Sequence, residues 1–257
     1  KQKNIVCRTV DVGQGADAMD SGFWGEFLGT MMLVLLGNGV VANVLLAQSK
    51  GNGGGWIVIS AGWAFAVLCG VVVALAIGSH GHINPAVTLA FAYSSGSWDL
   101  VPSYLAAQFL GGFVGAALVW LAYLPHWAKT ECAGLKLACF STGPAIRNMK
   151  WNFATEAIAT FVLLLVVIAI FSKSVGTSGP LAPLMVGLLV WGIGLSLGGP
   201  TGYAINPARD FAPRVAHAVL PIAGKGSSDW GYSWVPVVGP IAGALLAIAV
   251  ARVVGLG

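Results

Sequence analysis

A chain of 257 residues with 57% hydrophobic and only 9% charged side chains has too little polar surface for a soluble fold, in which about 25% of residues are charged. The net charge of +4 comes from 13 Lys and Arg that are scattered and form neither stripe nor cluster, so interfacial cations are expected and a nucleic-acid partner is not. Apolar residues fall in continuous blocks near the roughly 20 residues that cross a hydrocarbon core, without the alternation of a membrane barrel, which predicts an all-α polytopic membrane protein.

Residues 1–20, KQKNIVCRTVDVGQGADAMD, are mostly polar, do not begin with Met and lack the apolar centre of a signal peptide. They read as a polar N-terminal extension, with Met19 near a natural start and the first span acting as its own insertion signal. Six spans are predicted at about 23–47, 56–77, 100–123, 153–171, 184–197 with its flanks, and 234–254. Trp98, Trp120, Trp127, Trp151, Trp230 and Trp234 lie near their ends, where indoles favour the headgroup interface. Two apolar pieces, 84–93 and 206–220, are left over. A ten-residue helix reaches about 15 Å, half of a hydrocarbon core of about 30 Å, so these pieces are too short to cross.

Both short pieces open on the same tetrapeptide, INPA, at 83–86 and 205–208. Other features also recur in order: Glu26 and Thr30 with Glu156 and Thr160, then the INPA pair, then Gly111 and Gly115 with Gly239 and Gly243. The expected organisation is one membrane domain, 21–257, made of halves at about 21–125 and 150–257. Three full spans per half is an odd number, so the second half enters the membrane inverted. The predicted architecture is six transmembrane helices plus two re-entrant half-helices whose N-termini meet near the midplane. Positive-inside counting does not orient it: Lys1, Lys3, Arg8, Lys173 and Arg252 stand against Lys50, Lys129, Lys136, Arg147, Lys150 and Lys225.

Asn is a preferred N-cap and Pro a preferred first helical residue, so Asn84-Pro85-Ala86 and Asn206-Pro207-Ala208 each read as a helix start. An Asn whose Oδ1 caps its own helix keeps its side-chain NH₂ as a donor, and each helix N-terminus carries about +0.5 of an elementary charge. Two such ends facing one lumen suit neutral, oxygen-bearing solutes and repel cations. Arg209 follows the second motif; it either faces that lumen, snorkels to an interface or pairs with Asp210. Glu26 and Glu156 lie inside apolar spans, as a proton relay of a coupled carrier or as structural acceptors. Cys7, Cys69, Cys132 and Cys139 share no metal-ligand spacing, although Cys132 and Cys139 share one loop and could form a disulfide. No metal, cofactor or catalytic constellation is expected, and hence no enzyme.

The segments HINPAVTLA and GYAINPARDFAPR, the paired glutamates and the inverted halves together resemble the aquaporin superfamily over about 23–254. Asp210, Arg214 and Pro236-Val237 make the chain similar to its glycerol facilitator branch. The resemblance implies a selectivity filter of Trp63, Gly194, Tyr203 and Arg209, with Gly194 leaving room for the solute. It implies pore-lining carbonyls at Gly81, His82, Gly202 and Ala204, and structural roles for Glu26 and Glu156. It further implies a homotetramer in the plasma membrane that passes glycerol, small neutral polyols and some water without ions or protons. A water-selective aquaporin, a coupled secondary transporter and a non-conducting adhesion protein are the alternatives. Three features depart from the pattern: Tyr203 stands where Phe is usual, the stretch from Trp63 to the first motif is one residue longer, and His80 has no counterpart. The His80-Gly81-His82 pair is open to a solvated-loop, pH-sensing or metal reading.

Overall fold

A computed structural model describes residues 18–176, 179 and 181–256; residues 1–17 of the polar extension, with Cys7, lie outside the described residues. Regular structure among the described residues is helical: α1 (Ala18–Leu45), α2 (Trp56–Ile77), α3 (Pro85–Ser95), α4 (Val101–Ala122), α5 (Leu124–Trp127), α6 (Ala133–Ala138), α7 (Met149–Phe171), α8 (Leu181–Leu197), α9 (Pro207–Val219) and α10 (Val235–Val253). Helices α1, α2, α4, α7 and α10 are long and apolar enough to cross a bilayer. The sixth span is α8, whose 17 residues sit at the short end of the roughly 17–25 that suffice. It starts three residues before the predicted 184 and so gains most of a turn. Helix α7 likewise starts before the predicted 153, because the Asn148 side chain accepts from the Trp151 N–H while Asn152 Oδ1 accepts from the Asn148 N–H.

The half-helices α3 and α9 have 11 and 13 residues, and each packs most extensively on a span of the opposite half: α3 on α10, α9 on α4. This exchange interlocks the two halves. Within each half, α1 lies on α2 and α4, and α7 on α8 and α10, while α2 meets α8 between them. The repeated glycines make these approaches possible. A Cβ on Gly111 or Gly115 of α4 would run into the Phe27 or Met31 carbonyl of α1. One on Gly239 or Gly243 of α10 would strike Glu156 or the Ala157 carbonyl of α7, and Gly25 and Gly29 press α1 onto the Ala74 and Gly70 carbonyls of α2. All three pairs are therefore used in packing inside the bundle. Cys132 is exposed and Cys139 buried, and both are free thiols; the disulfide considered from their shared loop is not formed.

Candidate functional site

The site is built by two loops that enter the bundle ahead of α3 and α9. Both turn the same way: Gly81 (φ 67°) and Ile83 (φ 43°) in the first, Tyr203 (φ 39°) and Ile205 (φ 45°) in the second lie in the left-handed region. Such a conformation is expensive for a β-branched residue and persists only where its surroundings enforce it. Two buried carboxylates do so. Glu26 accepts from the His82 N–H (2.9 Å) and the Ile83 N–H (2.6 Å), and is itself held by Ser79 Oγ (3.0 Å) and Gln108 Nε2 (2.7 Å). Glu156 accepts from the Ala204 N–H (3.0 Å) and the Ile205 N–H (2.9 Å). Across a trans peptide the carbonyl points opposite the following N–H, so the Gly81, His82, Tyr203 and Ala204 carbonyls turn away from the carboxylates. Gly202, expected beside them, is not among the residues that line the cavity described below; a Cβ there would lie 3.4 Å from Thr142, and its N–H is bonded to the Gly198 carbonyl.

The half-helices start as their sequence predicts. Asn84 Oδ1 accepts from the Ala86 N–H at 2.9 Å, and Asn206 Oδ1 from the Ala208 and Arg209 N–H groups at 3.0 and 3.2 Å. Their amide nitrogens are partly committed. Asn84 Nδ2 donates to the Ile205 carbonyl and Asn206 Nδ2 to the Ile83 carbonyl, both at 2.8 Å. Each asparagine thus fastens the other half-helix's loop and keeps one N–H free. The strained isoleucines are what aim those two carbonyls across the junction.

A cavity of about 740 Å³ runs past this junction, from Trp63, Tyr203 and Arg209 at one end to Ser95, Ser97 and Phe171 at the other. Both asparagines and the loop residues Gly81, His82, Ala204 and Ile205 line it. At the first of these ends the Arg209 guanidinium lies over the Trp63 ring, 3.8 Å from the centroid. The extra residue before the first motif therefore does not carry Trp63 out of the site. Tyr203 is only 3% exposed, and its hydroxyl is buried without a partner.

Gly194 does not stand open to the cavity. A Cβ there would come within 2.9 Å of the Tyr203 ring and hydroxyl, and one on Gly198, a turn later, within 2.5 Å of Tyr203 and 2.7 Å of Trp56. The two glycines form a slot that the tyrosine and Trp56 fill, with the Trp56 indole Nε1–H donating to the Gly194 carbonyl at 2.9 Å. Asp210 and Arg214 also lie behind the lumen. Arg214 is fully buried and donates to Asp210 and to the Thr142, Ser228 and Asp229 carbonyls, and Asp210 accepts from the Thr142 N–H and hydroxyl at 2.6 Å. Pro236, buried, and Val237, half-buried, occupy the first turn of α10, away from the cavity lining. His80 Nδ1 meets the Tyr104 hydroxyl at 2.8 Å and His82 Nδ1 meets Thr88 Oγ1 at 3.1 Å, and all four residues line the cavity. Among the described residues no group of three or more His, Cys, Asp or Glu could hold a metal ion.

The small-xxx-small spacing of Gly194 and Gly198 marks both as contact glycines, and here they seat Tyr203 and Trp56. Trp56, Thr142, Gln108 and Gly37 join the site unannounced, Gly37 because a Cβ there would overlap the Trp63 ring; of these four only Gln108 carried a signal, as an amide inside an apolar span.

The chain is similar to known proteins in sequence and in fold. The "Probable glycerol uptake facilitator protein" of Thermotoga maritima is 57% identical over 225 residues, 87% of this chain and 95% of that protein. The glycerol uptake facilitator protein of Bacillus subtilis is 52% identical over 224 residues, 86% of this chain and 80% of that protein. The X-ray structure of the aquaglyceroporin from Plasmodium falciparum superposes with a TM-score of 0.80 at 31% identity, covering 93% of this chain and all of that one. With the Major intrinsic protein family model matching residues 18–250 as well, the chain belongs to the major intrinsic protein family of membrane channels.

Proposed function

We propose that the chain is a passive channel for glycerol and other small neutral polyols, with some water passage, in the cytoplasmic membrane, assembled as a homotetramer with one lumen per subunit. The observation that carries this reading is that two aromatic rings, Trp63 and Tyr203, and one guanidinium, Arg209, line the same end of the cavity, with the guanidinium over the Trp63 ring. A polyol has a carbon edge for the rings and a hydroxyl edge for the cation, and the relatives' names point the same way. In this reading Arg209 donates to solute hydroxyls, and the Gly81, His82, Tyr203 and Ala204 carbonyls accept from them along the lumen.

At the junction each asparagine offers its remaining N–H to a passing oxygen. The two half-helix N-termini add a positive potential there that opposes cations and hydronium. Glu26 and Glu156 serve as anchors of the loops, since their oxygens already accept from backbone N–H groups; this supports diffusion down a gradient over proton-coupled transport. Gly194 acts at one remove, by seating Tyr203.

The test is stopped-flow glycerol flux into proteoliposomes, expected well above that of protein-free vesicles and unchanged when pH and sodium gradients are collapsed. Water flux without glycerol flux would move the chain to the water-selective reading, and dependence on either gradient would make it a carrier. Light scattering of the detergent-purified protein checks the tetramer.

A further inference from the structure

The three side chains Trp63, Tyr203 and Arg209 that line this end of the cavity differ in how they are held. The Trp63 indole is backed by Gly37 of α1, with no space even for a methyl group between them, and Tyr203 is backed by Gly194 and Gly198 of α8. Neither ring can withdraw from the lumen without displacing a helix. Arg209 is held only loosely. It is 93% buried by its 7% exposure, yet Nη1 has no hydrogen-bond partner. The neighbouring carboxylate, Asp210, is occupied by Arg214 and Thr142, and among the described residues no hydrogen bond or ion pair anchors the Arg209 guanidinium. What positions it is the stack on Trp63, at 3.8 Å. That separation is van der Waals contact, so no carbon chain fits between guanidinium and indole while the stack lasts.

We propose that the Arg209–Trp63 stack is a solute-opened constriction: it closes the lumen at rest, and a vicinal polyol opens it by replacing both sides of the contact. The polyol's hydroxyls accept from the guanidinium, including the unpaired Nη1, while its carbon edge covers the indole. Water replaces only the first of these contacts, because it cannot cover the ring. The inference rests on the polyol-channel reading above and adds that the polyol itself raises the open fraction, as any ligand does that binds the open state better. A desolvated cation–π contact of this kind reduces the resting open fraction by about 3- to 30-fold.

The experiment uses the full chain in proteoliposomes. Osmotic water permeability is measured in a sucrose gradient, first without glycerol and then with equal, rising glycerol on both sides. The stack predicts that water permeability climbs several-fold with glycerol and saturates, with no such rise in protein-free vesicles. A pore that is always open gives the reverse, since a polyol in single file delays the water behind it; a level or falling water permeability overturns the inference. Trp63→Phe keeps a ring but weakens the cation–π contact, and is expected to raise glycerol-free water permeability about threefold and flatten the glycerol response. A folded W63F protein that behaves as the parent also overturns it, and the wild-type titration decides the matter if that variant does not fold. Glycerol flux is read in the same vesicles. Flux present with level water permeability overturns this inference alone, whereas absent flux overturns the proposed function and this inference together.

Discussion

Asp210 binds Arg214, one helical turn along α9 at 2.8 Å, and not its chain neighbour Arg209. The two arginines of GYAINPARDFAPR thereby take separate tasks: Arg214 ties α9 to the loops carrying Thr142 and Ser228, and Arg209 stays available at the cavity. A buried ion pair stabilises little against an apolar substitute, but breaking one strands a charge at about 3–5 kcal/mol. Arg214→Met is expected to lose that much, read as a lowered midpoint of thermal or denaturant unfolding in detergent. Asp210→Asn should lose less, with the glycerol-to-water flux ratio of the surviving protein unaltered.

The glutamates make a different prediction. Glutamine in place of Glu156 would set an NH₂ against one of the two loop N–H groups the carboxylate now receives. Leaving a buried donor unpaired costs about 1–3 kcal/mol, and the strained Ile205 loses its anchor. Glu156→Gln and Glu26→Gln should each lower stability by at least that amount, and the glycerol flux that remains should be as insensitive to pH gradients as in the parent. A gradient-dependent flux abolished only by these variants would restore the relay reading.

Tyr203 places its ring at the lumen and its hydroxyl in the slot above Gly194, where nothing pairs with it. The extra oxygen therefore neither narrows the opening nor binds solute. Tyr203→Phe should preserve solute selectivity and raise stability by about 1 kcal/mol, measured by unfolding and by the permeability ratio of glycerol to water. Gly194→Ala should act oppositely. Its Cβ would press within 2.9 Å of the ring and drive it into the lumen, lowering glycerol flux more than water flux.

Arg209 is the permanent positive charge in the cavity lining. Arg209→Val should admit protons, visible as collapse of a pH gradient in a dye-loaded vesicle, and should reduce discrimination between glycerol and larger polyols. If neither changes, the guanidinium has no part in selection.

Much of this protein was legible from residue order alone, for reasons of range. Helix starts depend on contacts within four residues, so Asn-Pro announced α3 and α9, and their lengths excluded a crossing. Doubling of the motif together with an odd span count required an inverted repeat. The same short range made the Asp210–Arg214 pair readable from its i, i+4 spacing, although the sequence reading passed it by. Charges did not orient the chain, and the fold shows that several loop cations are used in building the loops themselves. Lys225 Nζ caps the carbonyls of His217, Ala218 and Leu220 at the C-terminal end of α9, Lys136 is buried on the Ala223 carbonyl, and Arg147 is paired with Asp229.

By itself the residue order determined an inverted helical bundle with two capped half-helices and two intramembrane glutamates, because hydrophobic length, caps and repetition are local or additive properties. Only the tertiary structure decided that each asparagine fastens the opposite loop, that Tyr203 hides its hydroxyl behind Gly194, and that Arg209 rests on Trp63. Those contacts join residues more than a hundred positions apart, or turn on which side of a ring a neighbouring helix leaves empty. Close packing settles them once every span is in place.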